Sequence, residues 1–294
     1  MERLAAPELP GWLDEMVPFY RYLVDVGEGL RIHVMEQGHG RPVLLFHGNP
    51  TWGFLYRKVA AELAGEPLRL IMPDLMGLGF SDRPPPYGHT MRNHSGWMAS
   101  LISQLDLEDV VAVVQDWGGP IGMQALSQYP GLMTSAVVLN TGVTTPRPGF
   151  KPTAFHRFFS SGIGGYTATN LGLIQSGIRF FQGDRNSISG DVARAYRYPL
   201  QRKFGNEAPV ALVRMVPDDM NHSTVEPMGE VQAFLEAFDG PAAIVWGDAD
   251  PVLGRLKNRT SRLLPQAEVT STDAGHFVQE EVPAEIAAAI RSVM

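Results

Sequence analysis

The 294-residue chain has no cysteine, which removes disulfides, thiolate catalysis and Cys-ligated metals from consideration together. It has no basic cluster, and 31 acidic residues against 24 Lys and Arg leave a formal net charge of -7. That balance argues against nucleic acid or an anionic membrane surface as a partner. No apolar run reaches membrane-spanning length, and the acidic, Pro-rich opening lacks a charged-then-apolar leader, so the expected setting is the cytoplasm. The sequons at Asn93, Asn221 and Asn258 then carry no weight. There is no Gly-x-Gly-x-x-Gly fingerprint or phosphate-binding loop, and the histidines lack metal-ligand spacing. Neither a cofactor nor a metal is expected.

What is present alternates. Residues 1–17 read as a loosely structured lead-in with Trp12 as an anchor, and Tyr20–Val26 with Leu30–Glu36 read as a hairpin around Gly27-Glu28-Gly29. Short apolar strands follow at Pro42–Phe46, Leu68–Met72, Val110–Val114 and Ala136–Asn140, with helical stretches between them. The alternation stops at Val143, where prolines, glycines and aromatics interrupt the helical stretches, and resumes with strands at Ala242–Trp246 and Glu268–Ser271. The pattern predicts an α/β fold: a mainly parallel, doubly wound central sheet flanked by helices. Its core comprises residues 1–142 and 227–294, and a helical cap is inserted over 143–226.

Open parallel sheets place their sites beyond the carboxyl ends of the strands, so polar residues just after strands are the candidates. Asn49 follows the third predicted strand, Asp116 the fifth, Asp250 the seventh and His276 the eighth. The run from Val110 to Gly122 is a strand, a sharp turn and a helix, and Gly118 and Gly119 leave the side chain at the tip clear of the backbone. That side chain is Asp116. Taken alone it reads equally well as a helix cap. A serine at such an elbow needs a base, whereas an aspartate is already ionised and attacks directly, forming an ester on its own side chain. Nucleophile, acid and histidine in that chain order are the triad arrangement of α/β-hydrolases. Asp250 is preferred over Asp248 as the acid, because Gly-x-x-Asp after this strand is the spacing of that fold. His276 then activates water against the ester. Backbone N–H groups of Trp117 and Asn49 are placed for the oxyanion, while the Trp117 indole and the Asn49 amide offer donors to a leaving halide.

The chain resembles the haloalkane dehalogenases in His47-Gly48-Asn49-Pro50-Thr51-Trp52, Asp74-Leu75-Met76-Gly77-Leu78-Gly79-Phe80-Ser81-Asp82, Val114-Gln115-Asp116-Trp117-Gly118-Gly119, Asp250-Pro251-Val252-Leu253-Gly254-Arg255 and Ala274-Gly275-His276-Phe277. The resemblance implies Asp116 as nucleophile, His276 as base, Asp250 as acid, Trp117 and Asn49 as halide ligands, and Pro199 of Tyr198-Pro199 against the halide. It implies hydrolysis of a small halogenated hydrocarbon to alcohol, halide and proton, with water as the only co-substrate, by a monomer or small homo-oligomer. The sixth predicted strand ends in Asn140 rather than the Glu some members use, and the cap has no tryptophan. Epoxide hydrolases share the aspartate elbow but need an acid for the alkoxide, for which Tyr166, Tyr196 and Tyr198 are the candidates. The remaining alternative is a hydrolase-fold protein turned to ligand binding or cofactor-free oxygenation.

Overall fold

The structure, a computed structural model, describes residues 2–201 and 206–294. Its strands are β1 (Leu4–Ala5), β2 (Tyr20–Asp25), β3 (Arg31–Gly38), β4 (Arg41–Phe46), β5 (Leu68–Pro73), β6 (Val110–Asp116), β7 (Met133–Thr141), β8 (Ala242–Gly247) and β9 (Glu268–Thr272). They form one sheet in the order β1-β2-β3-β5-β4-β6-β7-β8-β9. The pairings among β1, β2, β3 and β5 are antiparallel, and those from β5 through β4 to β9 are parallel. This is the expected mainly parallel α/β sheet.

Successive side chains of a strand point to opposite faces, and here both faces are covered. Leu44, Phe46, Ala112, Val114, Ala136 and Val138 enter one core; Val43, Leu45, Val111, Val113, Val137 and Leu139 enter the other. Hence the central strands read as unbroken apolar runs. β6 lies between β4 and β7, and Val110 to Gln115 are all buried. The helix Met91–Gln104 starts where Thr90 Oγ1 accepts from the Asn93 N–H at 3.1 Å. His94, Trp97, Met98, Leu101 and Ile102 then form its buried stripe.

The lead-in is ordered, contrary to the expectation for residues 1–17. Leu4 and Ala5 pair with Leu23 and Tyr22, Gly11–Asp14 makes a helical turn, and the completely buried Leu13 is its main anchor. A two-residue strand is too short to show alternation in a sequence. The additional strand moves every later one up by one in the count.

Between β7 and β8 the described residues carry six α-helices: Ala154–Ser160, Gly162–Leu171, Leu173–Gly177, Gly190–Arg197, Ala208–Arg214 and Val225–Glu236. Gly172, at φ 64°, ends the second of them in the left-handed conformation a glycine adopts without penalty. The helix Val225–Glu236 packs on Gly118–Leu126, and Ala154–Ser160 packs on Ala208–Arg214. Of the expected cap, residues 202–205 lie outside the described residues. No helix among the described residues is long and apolar enough to cross a membrane.

Candidate active site

β6 ends at Asp116, whose φ of 47° lies in the left-handed region. Such a conformation costs a non-glycine residue about 1–3 kcal/mol. Each fully buried Val behind it is worth about 1.5–3 kcal/mol, so the strand outweighs the strain. Close approach fixes the elbow. A Cβ on Gly48 would overlap the Asp116 side chain, one on Gly118 the Phe46 carbonyl, and one on Gly119 the Thr141 hydroxyl. That hydroxyl donates to the Asp116 carbonyl at 2.6 Å.

The turn after β4 is braced from behind. His47 is buried, which keeps it below the ordinary histidine range and neutral; Nδ1 meets the Gly48 carbonyl at 2.9 Å and Nε2 accepts from the Leu75 N–H at 2.8 Å. Burial raises the Asp74 carboxylate, but His33 at 2.8 Å and the N–H of Gly53 at 2.7 Å outweigh it and hold Asp74 below its usual range. The resemblance pointed to this stretch without indicating that its carboxylate pairs with His33.

This bracing presents the Asn49 N–H to Asp116 Oδ1 at 2.7 Å. Among the described residues Oδ2 has only His276 Nε2 at 3.5 Å, beyond good hydrogen-bond length, and is the freer oxygen. His276 Nδ1 meets Asp250 Oδ2 at 2.8 Å. Asp250 also accepts from the N–H groups of Val252 at 2.7 Å and Leu253 at 3.1 Å and from Asn140 Nδ2 at 2.9 Å. Burial works against its charge, yet His276 and these donors keep Asp250 below the usual carboxylate range. Asp248, the rival acid, instead pairs with Lys257 at 2.6 Å. Burial alone would lower His276, but Asp250 and Asp116 push it up to about 10.

Asn140 occupies the strand end where an alternative acid would stand. It braces Asp250 and also takes the Gly247 N–H at 2.8 Å. Gln115 donates to the His276 carbonyl at 3.1 Å. The His276 loop is held from the helical insertion as well. The His276 N–H donates to the Phe181 carbonyl at 2.7 Å, the Phe277 N–H to Gln182 Oε1 at 2.9 Å, and the Asp184 N–H to Glu281 Oε2 at 2.8 Å.

Above Asp116 lies a cavity of two lobes, about 40 and about 140 Å³, both walled by Asp116, Trp117, His156 and Val252. Asn49 borders the smaller lobe, where one N–H of its amide donates to the Pro209 carbonyl at 3.0 Å and leaves the second for a ligand. Asp116, Trp117, Asn49, His276 and Val252 meet there, with Asp250 behind the histidine. Pro199 is buried elsewhere: it lines neither lobe, and its carbonyl accepts from Arg83 at 2.9 Å. Tyr166, Tyr196 and Tyr198 also line neither lobe; Tyr166 is exposed, Tyr196 bonds Glu280, and Tyr198 packs on Trp12 and Phe80.

His156 had no companion in the sequence, and there was no signal by which to find it. It stands in both lobes with Nδ1 2.7 Å from Thr153 Oγ1. Burial pushes it down to about 4, so the ring is neutral at pH 7; a Thr153 hydroxyl donating to Nδ1 leaves the proton on Nε2.

Residues 41–170 match the family model described as alpha/beta hydrolase fold. A haloalkane dehalogenase of Mycobacterium marinum is 30% identical over 285 residues, covering 94% of each chain. The chain belongs to the α/β hydrolase fold family. Haloalkane dehalogenases are among its homologues within that family, and so is a cis-3-alkyl-4-alkyloxetan-2-one decarboxylase of Shewanella oneidensis, 28% identical over 96% of this chain and 90% of that one. The tetrameric haloalkane dehalogenase DpaA from Paraglaciecola agarilytica shares the α/β hydrolase fold with a TM-score of 0.81 over 99% of both chains, at 24% identity.

Proposed function

We propose that the protein is a haloalkane dehalogenase working through an ester on Asp116. The reading rests above all on one arrangement: an aspartate at the elbow has one oxygen pinned by the Asn49 N–H and the other, 3.5 Å from His276 Nε2, less tightly held beside the cavity. The freer Oδ2 attacks the saturated carbon from behind and the halide leaves toward the Trp117 indole N–H and the unused Asn49 amide N–H. His276 is protonated at this stage, flanked by two carboxylates.

Forming the ester removes the Asp116 charge. The support for the His276 proton is thereby reduced and its pKa falls, so the imidazole becomes a base when a base is needed. The ring loses its proton to solvent and then takes one from water. The hydroxide adds to the ester carbon, and Oδ1 carries the resulting charge against the Asn49 N–H. The Trp117 N–H at the helix start is the second donor. Collapse releases the former Oδ2 as the alcohol oxygen, which takes the His276 proton, while the new carboxylic acid returns its own proton to the ring. Asp250 holds the ring and its charge throughout. The helices between β7 and β8 act as the cap that keeps bulk water from the cavity.

The test is bromide release from 1-bromobutane, with styrene oxide as control. Asp116→Asn is expected to lose at least ~10⁴-fold in kcat. His276→Ala is expected to retain an alkyl adduct on the peptide containing Asp116 by mass spectrometry; an unmodified peptide after incubation with substrate rejects the mechanism. Diol from styrene oxide without bromide release supports epoxide opening instead, but the cap tyrosines that would serve as its acid stand outside the cavity.

A further inference from the structure

The larger lobe is mostly apolar, walled by Pro120, Pro146, Phe150, Met228 and Leu253, but Arg259 stands in it too. Arg259 donates to the Thr145 carbonyl, which fastens it to the segment carrying Pro146 and Phe150. Arg255, four residues earlier, has its guanidinium 5.6 Å from the centroid of the Phe150 ring. Burial first, and then the like charge of Arg147, hold the Arg259 guanidinium below its usual range. Arg259 thus lines the lobe, with Arg255 against the Phe150 ring that also lines it, in a chain of net charge -7.

None of Arg147, Arg255 and Arg259 is paired with a carboxylate among the described residues. Asp248 is paired with Lys257, and Glu226 and Glu230 with Arg92; Asp218 and Asp219, which follow the lobe-lining Pro217, are exposed. Asp116 lines the same lobe. A substrate filling the lobe therefore meets the negative charge of Asp116 and the positive charge of Arg259, and this field favours an anion-headed chain with its head toward the arginine.

We propose that Arg259, with Arg255 beside it, binds the carboxylate of an ω-haloalkanoate, leaving its halogenated carbon at Asp116, so that such acids are preferred over neutral haloalkanes of equal length. The inference rests on the dehalogenation reading for its chemistry, but the anion site has its own readout.

The experiment compares kcat/KM for 6-bromohexanoate and 6-bromohexan-1-ol in wild type, Arg255→Gln and Arg259→Gln, with binding of plain hexanoate followed by calorimetry. The acid is expected to lead by about tenfold at low salt, and the ratio to fall toward one in either variant and near 0.5 M salt, where exposed charges are screened within a few ångströms. Reading the ratio cancels competition by the added salt. Arg255 is exposed, so its variant keeps the test open if Arg259→Gln misfolds. Bromide released equally from both substrates overturns the anion site and leaves dehalogenation standing. A wild-type preference that neither variant reduces also overturns the site. If neither substrate releases bromide while hexanoate binds and both variants weaken it, the dehalogenation reading falls and the site stands.

Discussion

The loops at the strand ends and the helical insertion contribute to one cavity in different ways. From the strand ends come Asp116, Asn49, Asp250 and His276, each fixed by two or more hydrogen bonds or by backbone packed too closely for a side chain. From the insertion come mainly apolar walls, Phe155, Ile174, Ile178, Phe181 and Val213, with His156 as the ionisable group shared by both lobes. The insertion also exposes Ile163, Tyr166, Leu171 and Phe180 to solvent, whereas the inner strands of the sheet are buried on both faces. On the proposed mechanism the reacting groups stand on the strand ends, and the insertion supplies the walls that meet the substrate.

That division has measurable consequences. Asp250→Asn should lower kcat by about 10³–10⁴-fold for every halide, since it disturbs the tautomer and charge of His276. An effect confined to some substrates would break the contrast. Asn49→Ala should cost about 10²-fold, the usual loss of one donor to a developing anion, read as kcat for bromide release. His156→Phe sharpens the contrast from the other side: about a tenfold change in kcat/KM is expected, differing between short and branched bromoalkanes, with the adduct on Asp116 still forming.

The smallest effect is on stability. The His276 pKa is raised when folded, to about 10, so its contribution is complete below its unfolded value near 6.5 and is lost as pH rises through 10. The Tm should therefore decline from neutral pH toward 10, and less steeply in Asp116→Asn, where one of the two supporting charges is gone. Equal slopes in the two proteins would show that Asp116 does not support the histidine proton.

The same division explains what was legible in the sequence. Strands buried on both faces write themselves as apolar runs, and an elbow needs glycine next to its tip, so the sheet and the residues at its rim could be read directly. Asn140 and Gln115 were visible only as residue types; their bonds to Asp250 and to the His276 carbonyl are made across the fold and leave no spacing. His156 and Arg259 lie on short helices whose register against the cavity no periodicity records. Pro199 was carried over by resemblance alone, and it lines neither lobe. The two-residue β1 left no pattern to read.

One consequence follows from the threads that tie His276 and Phe277 to Phe181 and Gln182. The base is suspended between two bodies, the sheet through Asp250 and the roof through these amides. Any displacement of Phe181 or Gln182 is therefore passed through these two amides to the imidazole. Amide exchange at His276 and Phe277 should accordingly keep time with the roof helices rather than with β8, and exchange in step with β8 would cut that tie.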